Sequence, residues 1–280
     1  MLYVLLTALC STSIALILKW NDQSGASGLH LLLGNYLVAA GISAFLWFTT
    51  AERWLSWPAF FFGLVLGALF LYSFFAFTKA VAAAGASLST VSARLSVAIP
   101  VVLSMLLFRE HPTTLQVAGF VFVGLTLLFF YLSLQDKKRH KIYWLDFFYL
   151  FVLWLGIGLN DFSMKVFQHW RGQAEEPFFL LIIFSSAFVY TYLVIRFQKL
   201  KFDRGAFLLG LGLGVPNMFS TFFLLAALNV LPAVVVYPSV NLSIILLTAV
   251  ASYLIWRERL NLAGLLALFS GSLAILLLNL

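Results

Sequence analysis

Apolar runs long enough to cross a bilayer alternate with short polar breaks along the whole chain. A hydrocarbon core needs roughly 20 apolar residues per helix. Measured that way, the chain divides into ten apolar segments, at 2–19, 29–50, 58–79, 85–107, 115–134, 143–167, 177–198, 205–228, 231–256 and 261–280. The breaks are polar and charged: Asn21-Asp22-Gln23, Glu52-Arg53, Arg109-Glu110-His111-Pro112, residues 171–176, residues 199–204 and Arg257-Glu258-Arg259. Two boundaries are marked only by small residues or a turn, around 82–85 and 229–232. No stretch remains for a soluble domain. The pattern predicts an all-α integral membrane protein of ten transmembrane helices.

The most hydrophilic run, Gln135 to Lys141, falls near the midpoint. It predicts a first five-helix repeat at 1–135, a basic linker loop at 136–142 and a second five-helix repeat at 143–280. The two halves share text. Phe74-Phe75, Ser104, Leu106, Arg109 and Glu110 match Phe222-Phe223, Ser252, Leu254, Arg257 and Glu258 at one constant offset. With single-residue gaps, Gly63 and Gly67 match Gly210 and Gly214, Gly124 matches Gly271, and Leu18-Lys19 sits where Met164-Lys165 does. An odd number of helices per repeat makes the second half enter the membrane from the opposite face. That is an inverted repeat, the arrangement in which carrier sites lie near the midplane.

Composition sharpens the class. Hydrophobic residues make up 63% of the chain and charged ones 10%, against about 25% charged in a soluble domain. Only lipid solvates such a surface. The net charge of +7 reflects loop lysines and arginines, not a nucleic-acid footprint, because no basic stretch carries stacking aromatics on a soluble face. Apart from Arg94, the Lys and Arg stand at helix ends and loops. Most lie on the side that holds the 136–142 linker, residues 196–204 and Arg257. The positive-inside rule makes that side cytoplasmic and puts both termini outside. The single cysteine, Cys10, excludes an intramolecular disulfide or a Cys-type metal cluster. The start of the chain, Met1-Leu2-Tyr3-Val4, lacks a basic n-region and a small-residue cleavage site, so it is expected to be the first span.

Phe108-Arg109-Glu110 and Trp256-Arg257-Glu258-Arg259-Leu260 each close an apolar helix and precede a glycine-spaced one. With the five-plus-five layout and the length, they make the chain resemble the drug/metabolite transporter superfamily, in particular its ten-helix EamA-type branch. The resemblance covers essentially the whole chain. It implies that helices 1, 3, 4, 6, 8 and 9 surround a central cavity, that helices 5 and 10 pack at the edge, and that transport is coupled to protons or exchange. Members of the branch commonly have both termini in the cytoplasm, the reverse of the loop-charge reading. The first half also has His111-Pro112 where the pattern usually has Arg-Leu.

Polar residues inside the apolar segments are the candidate site. A charge at mid-bilayer costs about 2.5–3.5 kcal/mol on insertion scales, so it needs a partner or water. Arg94 stands in the middle of the fourth segment. Gly85, Ser89, Ser92 and Ser96 form a stripe suited to close packing, and Arg94 projects from the opposite face with Ser87 and Thr90. The sixth segment carries Asn160, Asp161 and, one turn on, Lys165. Asp161 has three open readings: an i,i+4 pair with Lys165, a pair with Arg94 across the halves, or a proton carrier. Lys165 is expected to snorkel to the interface. Asn217 beside Pro216, Tyr237 and Asn241 beside Pro238, and Tyr72 complete the set. Glu110 and Glu258 are expected to engage neighbouring arginines or helix ends. The four histidines, His30, His111, His140 and His169, lack ligand spacing, so no metal is expected. Nor does any phosphate loop, Ser-His-Asp set or HExxH appear.

The expected protein is a secondary transporter of a small polar metabolite, such as an amino acid or another carboxylate-bearing solute. It is expected to be an exporter or exchanger acting by alternating access in a bacterial cytoplasmic (inner) membrane. It would work as monomer or homodimer, without cofactor, nucleic acid or enzymatic activity. Arg94 would attract the anionic group, Asn217, Asn241 and Tyr237 would orient it, and Asp161 would carry the proton, with Asn160, Lys165 and, more weakly, Tyr72 as further candidates for substrate binding or coupling. The alternatives are a channel, a non-transporting membrane partner, or a membrane-embedded lipid-modifying enzyme. The last would need His or carboxylates gathered at one interface, and here they are scattered.

Overall fold

In a computed structural model, residues 1–23, 25–50, 55–84, 86–134, 144–256 and 261–280 are described. Among them every regular element is helical: α1 (Leu2–Gln23), α2 (Gly28–Thr49), α3 (Trp57–Ala84), α4 (Ala86–Leu95), α5 (Ala98–Leu107), α6 (Thr114–Leu134), α7 (Trp144–Trp170), α8 (Glu176–Phe197), α9 (Arg204–Leu228), α10 (Ala233–Trp256) and α11 (Leu262–Leu278), with a single 3-10 turn at Gln173–Glu175. Within lipid only a helix or a closed barrel satisfies its own backbone, so uninterrupted apolar runs fold this way. Among the described residues seven helices are long and apolar enough to cross a membrane, and three shorter apolar stretches lie at Leu2–Leu18, Ser92–Leu107 (parts of α4 and α5) and Leu262–Leu278. The chain is a helical, multi-pass membrane protein. The 136–142 linker, Glu52-Arg53 and the Arg257-Glu258-Arg259 break lie outside the described residues.

From α6 onward the described helix ends lie close to the expected bounds, whereas α1 runs through Asn21-Asp22-Gln23 and α3 continues to Ala84; two caps show how ends are fixed. Asn261 accepts from the Gly264 N–H at 2.8 Å and starts α11. Asp203 caps α9 through the Ala206 N–H at 3.0 Å, and its second oxygen accepts from the N–H of Ser27, the residue before α2, also at 3.0 Å. Those two backbone donors, Ala206 first, hold the Asp203 carboxyl below the usual carboxylate range.

The chain forms two compact units. The first comprises Met1–Ala8, Tyr72–Lys165 and Ala227–Leu280. In it α6 packs on α11, where the Thr126 hydroxyl donates to Ser270 at 3.0 Å and Val123, Leu127, Ala274 and Leu278 pack together with Leu242 and Ile245 of α10. The second comprises Leu9–Leu71 and Val166–Ala226. There α2 packs on α8, and α9 crosses α2 with backbone against backbone. A Cβ added at Gly210 would run into the Leu31 carbonyl, and one at Gly34 into that of Phe207. Glycine at both positions is what allows this approach.

Where the sequence reading has one helix over 85–107, the structure has two. The chain turns at Ser96-Val97, between α4 and α5 and two residues after Arg94. Pro100 has no N–H to give the Ser96 carbonyl. That carbonyl accepts from Ile99 instead, at 3.0 Å, and the Leu95 carbonyl freed by the shift accepts from the Trp154 indole at 3.1 Å.

Candidate functional site

Within the first unit, α4, α7 and α10 converge on a polar layer just before the helix break. The Arg94 guanidinium donates to Asn241 Oδ1 at 3.3 Å. Asp161 stands in the same unit, on α7. On the other face of α4, Ser92 donates to the Leu150 carbonyl at 2.7 Å and fixes α4 against α7. Tyr237, 2% exposed, donates its hydroxyl to the backbone carbonyl of Asp161 and so ties α10 to α7 at this level. The Asn241 amide donates back to the Tyr237 carbonyl at 3.2 Å, which leaves its own oxygen aimed at Arg94.

Beside Asp161, the Asn160 amide donates to Ser73 Oγ at 2.8 Å. The Asn160 Oδ1 atom is buried and accepts no hydrogen bond among the described residues. A buried acceptor without a donor costs about 1–3 kcal/mol. The layer therefore holds one cation, one carboxylate and one acceptor in want of a donor.

Lys165 corrects the sequence reading. It is 7% exposed instead of snorkelling, and its ammonium sits 2.9 Å from Glu110 Oε1. The other Glu110 oxygen accepts from the Val234 N–H at 3.0 Å, so one carboxylate both pairs with α7 and caps α10. Glu110 thus engages a helix end, as expected, and a lysine as well. Tyr72 is half exposed and its ring lies near Gly156 on α7. Asn217 belongs to the second unit, where its carbonyl accepts from Thr221 at 3.2 Å. Nearby, α1 and α9 border an open, apolar cleft of about 570 Å³ lined by Cys10, Ser13, Gly212, Pro216, Phe219 and Phe223 among others. Of the sequence candidates, the first unit holds Arg94, Asp161, Asn160, Tyr237, Asn241, Tyr72 and Lys165. Sequence reasoning missed Ser73 and Trp154. For Trp154 the signal was present: Pro100 frees a carbonyl near the freed turn that some donor must meet.

No family model matches the chain. It is 25% identical over 269 residues to an uncharacterized protein of Haemophilus influenzae, across 90% of this chain and 89% of that one. The whole fold has an experimental counterpart. A solved structure, described only as the crystal structure of a protein, matches 99% of this chain and 96% of its own at 17% identity, with a TM-score of 0.73. At that identity the likeness speaks for the fold alone.

Proposed function

We propose that the chain is a secondary transporter of the drug/metabolite transporter type, built as two inverted five-helix repeats that span a bacterial cytoplasmic membrane ten times. It carries a small carboxylate-bearing metabolite such as an amino acid, by alternating access. The seven long and three shorter apolar helices together supply the spans. The repeat is supported by contacts in the second unit. Gly63 and Gly67 of α3 pack on Ile182 and Ser186 of α8, while their sequence counterparts Gly210 and Gly214 of α9 pack on Leu31, Asn35 and Val38 of α2. Counting spans, the third meets the seventh and the eighth meets the second. Each contact becomes the other when the halves are exchanged, as a pseudo-two-fold axis requires.

The observation that carries the function is Arg94 beside a broken helix, bonded to Asn241 in the unit that also holds Asp161. Interrupted spans at membrane depth occur where the backbone lines a cavity or is buried in protein, and intramembrane charges mark substrate or ion paths. A substrate carboxylate and the Asp161 carboxylate compete for one guanidinium. Protonation of Asp161 therefore favours substrate binding, and substrate binding favours protonation. The unpartnered Asn160 oxygen would accept from a donor on the substrate.

Counterflow in proteoliposomes, with a panel of amino and organic acids, tests this. Wild-type protein should show saturable exchange, and Arg94→Gln should abolish it while remaining extractable and monodisperse. Asp161→Asn should bind the acid substrate with its pH dependence lost. Unchanged counterflow by Arg94→Gln removes that residue from the site.

A further inference from the structure

The connection from α8 to α9 carries chemistry that transport does not use. It joins two spans across residues 198–203, so it lies at one membrane–water interface. Read in order, it is Arg196-Phe197-Gln198-Lys199-Leu200-Lys201-Phe202-Asp203-Arg204, with cations and apolar side chains interleaved. Phe197 is 81% exposed and Phe202 62%. Among the described residues, none of Arg196, Lys199, Lys201 and Arg204 has a carboxylate partner. The one acid in the loop, Asp203, spends both oxygens on the backbone donors of Ala206 and Ser27.

The loop also has a shape. α8 ends with the Lys199 N–H on the Arg196 carbonyl and the Leu200 N–H on the Ile195 carbonyl, both at 3.2 Å. This ending needs a left-handed residue at its turn, normally glycine. Lys199 takes that place at φ 50°. A β-carbon there is strained, and such strain gathers at ligand clamps. The turn brings Lys199 beside Arg196 over Ile195 and Leu200, and these four residues line a cleft of about 430 Å³. Two cations and two aliphatic side chains make the lining amphiphilic. The helix dipole accounts for Arg196 and Lys199 at the negative end of α8, but Lys201 and Arg204 stand at the positive end of α9, where cations are disfavoured.

The geometry points to a binding site for the phosphate of an anionic phospholipid, with its glycerol and upper acyl carbons over Ile195 and Leu200. Zwitterionic lipid fits less well because its own ammonium would meet this cation cluster. The inference rests on α8 and α9 spanning the membrane and is independent of any substrate at Arg94.

Full-length protein in nanodiscs of phosphatidylcholine, with and without phosphatidylglycerol, tests it. Retained phosphatidylglycerol is counted by native mass spectrometry and thermal unfolding is followed in parallel. Each cation near the headgroup is worth about five-fold in affinity, so Arg196→Gln with Lys199→Gln should weaken retention about 25-fold and erase the stabilisation by phosphatidylglycerol. Lys199→Gly separates binding from folding. It relieves the strained turn, so the protein in phosphatidylcholine should melt no lower than wild type while phosphatidylglycerol retention falls about five-fold. Equal retention by Lys199→Gly and wild type overturns the site. So does stabilisation by inorganic phosphate in phosphatidylcholine discs that matches phosphatidylglycerol, since the cations would then hold any phosphate.

Discussion

The buried pair of Glu110 and Lys165 gives the sharpest energetic test. At 2.9 Å, with both side chains about nine-tenths buried, the gross attraction is about 6 kcal/mol at an effective dielectric constant of about 20. Desolvation offsets much of it, so the pair contributes little against an apolar isostere, whereas removing one partner strands a charge and costs about 3–5 kcal/mol. Glu110 also caps α10 through the Val234 N–H, and losing a cap costs about 1 kcal/mol more. Glu110→Ala should therefore destabilise more than Lys165→Met. The combined Glu110→Gln and Lys165→Met variant should recover most of the loss, since glutamine keeps an acceptor for Val234 and no ion remains. The assay is a double-mutant cycle of Glu110→Gln, Lys165→Met and the two combined, by thermal and chemical unfolding in one detergent, with binding to a hydrophobic dye as a check on packing. A coupling energy below about 1 kcal/mol, or a double variant as weak as the sum of the singles, would refute the reasoning.

Other outcomes follow from the same structure. Gly210→Ala should cost about 1–3 kcal/mol, because its Cβ meets the Leu31 carbonyl, while Gly212→Ala, with nothing within 4 Å, should be neutral or mildly stabilising; unfolding midpoints decide. Pro100→Ala returns a donor to the Ser96 carbonyl and should raise helix stability while lowering turnover, read from melting and counterflow together. The Asp203 carboxyl titrates below its unfolded value, so its stabilising effect is present above about pH 4 and is lost as pH falls through the lower, folded value. Asp203→Asn should flatten the acid limb of a stability–pH curve, and an unaltered limb would remove the cap from that role.

Helix existence and most helix ends were legible because membrane spans leave long apolar runs and the charges between them have nowhere else to go. The break after Arg94 was not. Pro216 and Pro238 also lie inside apolar runs, yet α9 and α10 pass through them unbroken. What distinguishes Pro100 is a tertiary partner, the Trp154 indole at the freed Leu95 carbonyl. Lys165 was misjudged for a similar reason. Sequence spacing shows Asp161 one turn away, whereas Glu110 is brought to the ammonium by packing. Arg94 and Asp161 were legible as intramembrane charges, and Asn241 and Tyr237, which bond to them, as polar residues beside Pro238 in an apolar run. Nothing in the text of the chain reveals that the compact units each draw on both halves.

Whether the polar layer around Arg94 and Asp161 meets water from each side of the membrane in turn is the question on which the transporter reading depends. Cys10 is the sole cysteine, so Cys10→Ser yields a thiol-free background in which Ser73→Cys places one near-isosteric probe beside Asn160. Labelling with a membrane-impermeant maleimide, applied from one face or the other of oriented vesicles, reads the exposure directly. The account expects reaction from both faces, with the ratio shifted by substrate. A thiol that reacts from neither face, with or without substrate, would contradict it.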